Sequence, residues 1–423
     1  MSFPCDKREI KSRDLNIFAF RGALYSRNYM TPLLTFHEII PLTLYVHLPW
    51  CVRKCPYCDF NSHEAGDITG KESAYVDALI RDLDSVLPDI WGRKISSIFI
   101  GGGTPSLFST EQLNRLLNEL QARLNFYPDI EITLEANPGT AEAEKFRAFR
   151  ESGINRLSIG VQSFNDTYLK KLGRIHDSAE AQAAIDMAKG AGFEEINIDL
   201  MFGLPGQNAG DALDDIQQAM DYQPAHISWY QLTLEPNTVF YSKPPRLPDD
   251  ELIWQMQEEG QTLLAKHGYI QYEISAYAKN NHQCTHNLNY WQFGDYLGIG
   301  AGAHSKLTDI AGGRIIRTAR HRIPERFLEL AGENNVIIDR KILSAEDIAL
   351  EFMMNVLRLK EGVYSSMFQQ RTGMPVTHIQ SQLTCAEKQG LIKWDINSLK
   401  PTEKGQRYLN DLLQIFMPDT ECV

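Results

Sequence analysis

The sequence predicts an α/β protein: an incomplete (β/α)6 barrel followed by a mainly helical, winged-helix-like domain. Two observations predict the barrel. Short β-rich runs alternate with longer amphipathic stretches between residues 43 and 277, and polar or glycine-rich segments follow the strand ends. Repeated βα units favour parallel strands joined by right-handed crossovers. A change of pattern after about residue 341 predicts the second domain.

The predicted strands are rich in β-branched and aromatic residues: Leu44–Leu48, Ser97–Ile100, Ile130–Leu134, Arg156–Val161, Glu195–Leu200, Ile227–Leu232 and Tyr272–Ala276. Amphipathic stretches between them are predicted as helices: Tyr75–Val86, Thr110–Leu124, Ala141–Ser152, Ala179–Ala191 and Asp211–Met220. Active sites of such barrels lie at the carboxyl ends of the strands. A cysteine-rich loop after the first strand and a glycine run after the second are therefore expected to meet Glu135, Gln162 and Asp199 at one mouth.

Three cysteines follow the first strand in CxxxCxxC spacing: Cys51, Cys55 and Cys58. Three thiolates on one tight loop suit three corners of a 4Fe–4S cube, whose usual complement is four cysteines. Without a fourth cysteine nearby, one iron stays open to an exchangeable ligand, as in catalytic metal sites. A zinc knuckle is the alternative, but zinc sites favour two CxxC pairs and no second pair follows. A disulfide is disfavoured by the odd number of cysteines and their short spacing.

With its aromatic flanks, this spacing is identified as the radical SAM signature. His47-Leu48-Pro49-Trp50, Asp59-Phe60-Asn61 and Gly101-Gly102-Gly103-Thr104-Pro105 resemble the oxygen-independent coproporphyrinogen III oxidase group, and within it the heme-chaperone branch. The resemblance runs from about residue 41 almost to the C-terminus. Phe60 stands where the true oxidases of the group carry another cysteine, which separates this chain from them.

The resemblance implies that S-adenosylmethionine (SAM) binds at the cluster, where Tyr45, Gly102 and Glu135 match family contacts. Further matching positions, several of which hold a second SAM in the oxidases, are Tyr57, Gly103, Thr104, Gln162, Arg174 and Asp199. A glycine run leaves bare backbone that approaches a ligand closely. The Glu135 carboxylate suits ribose hydroxyls or a cationic group; its alternative role is to cap a helix near Asn137-Pro138.

A second motif gathers imidazole, thiol and aromatic groups between His282 and Trp291. Heme requires an axial ligand such as His, Cys or Tyr and an apolar wall. The motif residues match the HNxxYW pattern of the chaperone branch: His286, Asn287, Tyr290 and Trp291. We expect His286 to ligate heme iron, with Cys284 and His282 as competitors. The alternative is that these side chains pack a core.

Composition limits the partners. The formal net charge of −12 over 423 residues gives no global attraction to nucleic acid or anionic lipid. No apolar stretch approaches the ~20 residues of a membrane-spanning helix. Seven cysteines, three of them clustered, favour a reducing compartment over a disulfide scaffold. We therefore expect a cytoplasmic protein without an integral membrane segment or a nucleic-acid partner.

The predicted domains are an N-terminal extension (1–29), loosely ordered and without a secretory signal; the partial barrel with its HNxxYW extension (30–335); and a helical domain (336–423). The predicted elements of the helical domain are Ser344–Leu359, Pro375–Gln389, Leu391–Trp394, Ser398–Pro401 and Thr402–Phe416. Residues 341–423 contain nine Lys/Arg and ten Asp/Glu. This balance disfavours DNA binding and favours a cap over the barrel.

The leading functional hypothesis is a radical SAM-family heme chaperone that binds heme, a 4Fe–4S cluster and SAM, and transfers heme to an acceptor protein that the sequence does not identify. The rival hypothesis is an enzyme, an oxygen-independent coproporphyrinogen III dehydrogenase. A third, tRNA modification, lacks the basic surface that RNA requires. Whether SAM is cleaved in function is left open.

Overall fold

A computed structural model describes residues 34–418, apart from residues 66, 67, 69 and 141. The predicted extension, residues 1–29, lies outside the described residues, as do Cys5 and Cys422. No helix in the described part of the chain combines the length and the apolar character needed to cross a membrane.

The strands of this structure, in chain order, are β1 (Leu42–Leu48), β2 (Trp50–Cys51), β3 (His63–Glu64), β4 (Lys94–Gly102), β5 (Asn125–Ala136), β6 (Arg156–Gln162), β7 (Glu195–Phe202), β8 (His226–Gln231), β9 (Ile270–Glu273), β10 (Ala276–Ala278), β11 (Asp295–Ile299), β12 (His304–Asp309), β13 (Arg314–Arg320), β14 (Ile337–Ile342), β15 (Val363–Tyr364), β16 (Ile392–Trp394) and β17 (Ser398–Pro401).

The α-helices are α1 (Lys71–Val86), α2 (Thr110–Arg123), α3 (Ala143–Glu151), α4 (Asp166–Lys171), α5 (Ser178–Gly190), α6 (Ala209–Asp221), α7 (Val239–Ser242), α8 (Asp250–Lys266), α9 (Thr285–Trp291), α10 (Pro324–Leu330), α11 (Ala345–Val356), α12 (Ser366–Thr372), α13 (Gln380–Lys388), α14 (Glu403–Arg407) and α15 (Leu409–Gln414). Each of the five helices predicted between the barrel strands is present, with ends shifted by a few residues.

One large sheet organises the molecule, in the order β14-β13-β12-β11-β1-β4-β5-β6-β7-β8-β10-β9. From β11 to β8 every pair of neighbouring strands is parallel. The predicted open, parallel α/β barrel is therefore confirmed. The strands beyond it on either side are antiparallel, so the sheet extends without closing.

The predicted seventh strand, Tyr272–Ala276, is wrong. The chain turns at Ile274 and Ser275, and β9 and β10 form an antiparallel pair on either side. The Glu273 carboxylate fixes this turn, because it accepts hydrogen bonds from the backbone and hydroxyl groups of Ser275 at 3.0 and 2.8 Å. These local hydrogen bonds make a turn where the sequence pattern predicts a strand.

The two faces of the parallel strands differ in polarity. On β1, Leu42, Leu44, Val46 and Leu48 are buried in the main apolar core between the sheet and its helices. The alternate residues face the interior of the barrel, where polar side chains are frequent. Successive side chains of a strand point to opposite sides, so the sheet packs a core on one face and lines a cavity with the other.

A buried ion pair joins the first helix to the antiparallel extension. Arg320 on β13 donates from Nε to the Asp82 carboxylate of α1 at 2.6 Å, and both side chains are fully buried. The same carboxylate accepts from the backbone N–H of Gly300 at 3.0 Å. Burial raises the pKa of Asp82, and the guanidinium of Arg320 opposes that shift.

A second apolar core contains residues of α11–α13, α15 and the three-stranded sheet β15-β17-β16, together with Leu34, Phe293 and Ile315 from earlier in the chain. Strand β14, which precedes it, still belongs to the large sheet. Leu288 and Trp291 of α9 pack against this second core. The division into domains at residue 336 stays a prediction.

Candidate functional site

The cysteine loop is closed by two very short strands. β2 pairs in parallel with β3, so residues 52–62 form a loop whose ends lie side by side. The Cys58 N–H donates to the Cys55 carbonyl at 3.1 Å, which makes a tight turn between them. Trp50 anchors the loop in the core, because its ring packs against Tyr75 and Phe108 with centroids 4.9 and 5.7 Å away.

Each thiol of the loop lies beside a hydrogen-bonding side chain. The Thr104 hydroxyl lies 3.5 Å from Cys51 Sγ, Arg174 Nη1 lies 3.7 Å from Cys55 Sγ, and the Ser62 hydroxyl lies 3.6 Å from Cys58 Sγ. These neighbours are groups that stabilise a thiolate, the form that binds metal. Burial raises the pKa of Cys51 and of Cys58, and the hydrogen bonds from Thr104 and Ser62 oppose that shift.

All three cysteines are free and line one cavity. Among the described residues, no group of three His, Cys, Asp or Glu side chains is arranged to hold a single metal ion. Three thiols on one loop suit a polynuclear cluster, which spreads its cysteine ligands over several irons.

The cavity has a volume of about 320 Å³ and runs down the interior of the barrel to Cys284 and Asn287. The predicted site residues that line it, besides the cysteines, are Tyr57, Gly102, Gly103, Thr104, Glu135, Gln162, Arg174 and Asp199. The structure thus brings together eleven of the thirteen predicted positions. Tyr45 and His286 are not among its lining residues.

The glycines after β4 are required by close packing. A Cβ on Gly103 would lie 2.5 Å from the Trp50 carbonyl oxygen, and one on Gly102 would lie 2.5 Å from the His47 ring. Gly102 also has a φ of 119°, which L-residues with side chains rarely adopt. Its N–H donates to Glu135 Oε2 at 3.0 Å. The bare backbone therefore passes directly beside the cysteine loop.

Glu135 is a buried carboxyl group whose proton affinity is high. Burial raises its pKa to about 7; the Gly102 N–H lowers it and the nearby Asp199 raises it. Near neutral pH the group exists in both forms. The ionised form accepts from a ligand ammonium or hydroxyl, and its charge is favoured when a cation enters the cavity.

Arg174 spans from the barrel wall to the cysteine loop. Its Nη2 donates to the Gly160 carbonyl at 2.7 Å, and Nη1 lies 3.5 Å from the Tyr57 hydroxyl. Its Nε has no hydrogen-bond partner among the described residues, although it is buried. Opposite, the Tyr230 hydroxyl donates to Gln162 Oε1 at 2.7 Å, which orients that side chain. The unpartnered guanidinium N–H suits a carboxylate or carbonyl of a bound ligand.

Asp199 is connected to a buried hydrogen-bond chain. Its carboxylate accepts from Ser158 Oγ at 2.7 Å and from Asn197 Nδ2 at 2.8 Å. Asn197 Oδ1 therefore accepts, and it lies 2.6 Å from His226 Nδ1. The other nitrogen of His226 lies 2.9 Å from the Tyr272 hydroxyl, so His226 is neutral with its proton on Nδ1. Burial lowers the pKa of His226 well below its usual value.

Tyr45 lies behind the cavity wall. Its hydroxyl donates to His47 Nδ1 at 3.0 Å, because His47 Nε2 already donates to the Asn61 carbonyl at 2.9 Å. Burial lowers the pKa of His47 to about 4, so this imidazole stays neutral. The Tyr45 ring stacks on Phe99, which does line the cavity.

The second motif forms α9, a short helix at the deep end of the cavity. His286 is buried; its Nδ1 lies 3.1 Å from Ser97 Oγ, and its ring packs against Phe99 at 5.2 Å. Burial lowers the pKa of His286 to about 3. Its backbone N–H, together with that of Thr285, donates to the Glu131 carboxylate. His286 therefore faces the barrel wall, with Phe99 between it and the cavity.

The remaining motif residues point in different directions. Asn287 and Cys284 line the cavity floor, and burial raises the pKa of Cys284 to about 12. Tyr290 packs on Tyr296, whereas Trp291 lies under the Arg358 guanidinium at 4.2 Å. His282 lies outside the cavity lining and pairs with Glu195 at 2.5 Å.

Several cavity residues were missed from the sequence: Phe99, Thr133, Arg156, Ser158, Asn197, His226, Ser228 and Tyr230. Most are polar residues at alternate positions of otherwise apolar strands, and that alternation is the signal that identifies them. Two of these groups, Thr133 Oγ1 and Arg156 Nη2, are buried without a hydrogen-bond partner among the described residues.

The fold agrees with comparisons to known proteins. The Radical SAM superfamily profile matches residues 45–219, and the HemN C-terminal domain profile matches residues 343–408. A protein of Haemophilus influenzae named heme chaperone HemW is 49% identical over 387 residues, covering 90% of this chain and 99% of that protein. The protein of the same name from Escherichia coli is 48% identical, covering 90% of this chain and 100% of that protein. The chain belongs to the HemW family of radical SAM proteins.

Among solved structures, the radical SAM enzyme coproporphyrinogen III oxidase (HemN) of Escherichia coli superposes with a TM-score of 0.76 over 90% of this chain and 91% of that one. The sequence identity is 23%, so this likeness shows the fold.

Proposed function

We propose that this protein is a heme chaperone that carries a 4Fe–4S cluster and SAM and transfers heme to an acceptor protein. The observation that carries the proposal is the match to the Haemophilus influenzae heme chaperone HemW at 49% identity over 99% of that protein's length. Phe60, where the oxidases of the group carry a cysteine, supports the chaperone over the rival dehydrogenase.

The proposed cluster ligands are Cys51, Cys55 and Cys58. Support comes from the hydrogen-bonding side chains beside their sulfur atoms, which are of the kind that stabilises a thiolate. A bound cluster with an open iron would supply reducing equivalents and a chelation point for SAM. The residues that line the cavity would bind and orient SAM. The backbone around Gly102 and Thr104 and the Glu135 carboxylate would hold the polar end of SAM, while Gln162, Arg174 and Asp199 would orient the remainder.

The axial heme ligand is less well supported by the geometry. His286 stays a prediction, because its imidazole is buried, bonded through Nδ1 to Ser97 and separated from the cavity by Phe99. Ligation through Nε2 would require α9 or Phe99 to move.

The experiment is anaerobic reconstitution with three measurements on one sample. We expect about four irons and sulfides per chain, as a single 4Fe–4S cluster requires, together with stoichiometric heme uptake seen as a Soret shift. We expect no turnover of coproporphyrinogen III. Robust turnover without heme uptake would favour the dehydrogenase instead. For transfer, heme should reach a cognate apo-hemoprotein faster than it dissociates to an apomyoglobin scavenger.

A further inference from the structure

The size of the cavity restricts where heme can bind. Its volume of about 320 Å³ is at the lower end of the ~300–1,000 Å³ found for pockets that bury a drug-sized ligand. The proposed cluster and SAM would already occupy it. A porphyrin, which is flat and wide, therefore has no room beneath the cysteine loop and must bind at the surface.

The mouth of the cavity offers an apolar surface on the cysteine loop itself. Phe60 lines the mouth, yet 63% of the residue is exposed, and Val52 on the same loop is 50% exposed. The Phe60 carbonyl accepts from Lys54 Nζ at 3.1 Å and from the Ser62 N–H at 2.7 Å. These hydrogen bonds fix the backbone of Phe60 in a position that leaves its ring in solvent.

The same mouth carries a cation. Arg53 also lines it and is exposed, and its guanidinium has no hydrogen bond or ion pair to another described residue. Lys54, in contrast, is bonded to the Phe60 and Ser62 carbonyls. An exposed aromatic ring and an unpaired guanidinium at one mouth complement a ligand that joins a flat apolar face to a carboxylate.

We propose that the porphyrin of heme docks over the cavity mouth, with its face against Phe60 and Val52 and a propionate on Arg53. This inference rests on the proposed heme binding and names the site for it. It differs from ligation by His286 in where the porphyrin lies: above the cysteine loop rather than beside α9. It also assigns a use to Phe60, the residue that marks the departure from the oxidases.

Heme titration of the cluster-loaded protein tests the proposal. Phe60→Ser should weaken heme binding about tenfold, since it removes the apolar surface of one aromatic side chain. Arg53→Gln should weaken binding of heme and leave binding of heme dimethyl ester unchanged, because the ester has no carboxylate. Bound heme should also slow SAM dissociation from the wild type, and less so from Phe60→Ser.

Two controls separate this site from general surface effects. Trp91→Ala removes an aromatic residue that is 85% exposed before β4, at the opposite end of the strands, and should bind heme as the wild type does. Asp59→Asn removes an exposed acid from the same loop and should not weaken binding. Iron and sulfide contents must match the wild type in every variant.

Wild-type affinity in both Phe60→Ser and Arg53→Gln would overturn the proposed site, and loss of heme in His286→Ala alone would then place the porphyrin at α9. A wild-type protein that takes up no heme is a different failure: it would reject the proposed function itself.

Discussion

The Glu135 carboxylate accepts a hydrogen bond from the backbone N–H of Gly102 at 3.0 Å, and the two residues are 33 positions apart in the sequence. This contact joins the end of β4 to the end of β5 at the cavity wall. It also holds a buried acid beside the backbone where SAM is proposed to bind. The first two predictions follow from this arrangement.

Glu135→Gln should weaken SAM binding by roughly tenfold to a hundredfold, because a hydrogen bond to a charged group contributes about 1.5–3 kcal/mol. The amide keeps the shape of the side chain and loses its charge. Equilibrium dialysis against SAM under anaerobic conditions measures the change. Glu329→Gln, an exposed acid paired with Arg326 on α10, is the control and should bind normally. Unchanged affinity in Glu135→Gln would remove this residue from the site.

The stability of the cluster-free protein should depend on pH through Glu135. Burial raises its pKa from 4.5 to about 7, so the folded state binds a proton that the unfolded state releases across this window. The contribution is therefore fully present below about pH 4.5 and is lost as pH rises toward 7; it amounts to about 3 kcal/mol. Urea unfolding of the wild type and Glu135→Gln at pH 5 and 8 should show the wild type losing more stability between the two values. Equal losses would contradict the raised pKa.

Replacing any one of Cys51, Cys55 or Cys58 by Ala should abolish the cluster, because each is proposed to hold a separate iron. Iron and sulfide analysis after anaerobic reconstitution measures this. Cys284→Ala is the control, since its thiol lies at the floor of the same cavity and bonds to Glu131. A full cluster in Cys55→Ala, or its loss in Cys284→Ala, would contradict the assignment.

The buried pair of Asp82 and Arg320 predicts a strong dependence of stability on its second member. Arg320→Met should destabilise the fold by about 3–5 kcal/mol, because it leaves a buried carboxyl without its cation. The double variant Asp82→Leu, Arg320→Met should recover much of that loss. Denaturant unfolding of the wild type, Asp82→Leu, Arg320→Met and the double variant measures it. A double variant as unstable as the sum of its single substitutions would show that the two side chains do not act as a pair.

The alternation of β-rich and amphipathic runs was enough to predict the parallel strands, because parallel neighbours need a helical crossover between them. It did not predict that β11 would lie beside β1, since that pairing joins segments far apart in sequence. The predicted strand over Tyr272–Ala276 failed for the opposite reason: one carboxylate, Glu273, bonds to its neighbour and makes a turn.

For the site, motifs and strand ends located the residues near the mouth but not those deeper in the barrel. Thr133 and Arg156 lie one or more inward positions before the strand ends, and which face of a strand looks inward is set by packing across the sheet. His286 illustrates the converse. The sequence shows the motif that contains His286. It does not show that the Phe99 ring, which comes from β4, lies between His286 and the cavity.

Helix α9 carries a consequence for any shortened version of the chain. Its Asn287 closes the cavity from below, while its Leu288 and Trp291 are covered by the second apolar core. A fragment that ended before residue 343 would keep the plug and lose its outer cover, leaving two large apolar side chains in water beneath the cavity. The residues from 343 onward therefore support the floor of the cavity from outside, and removing them would loosen the packing of α9.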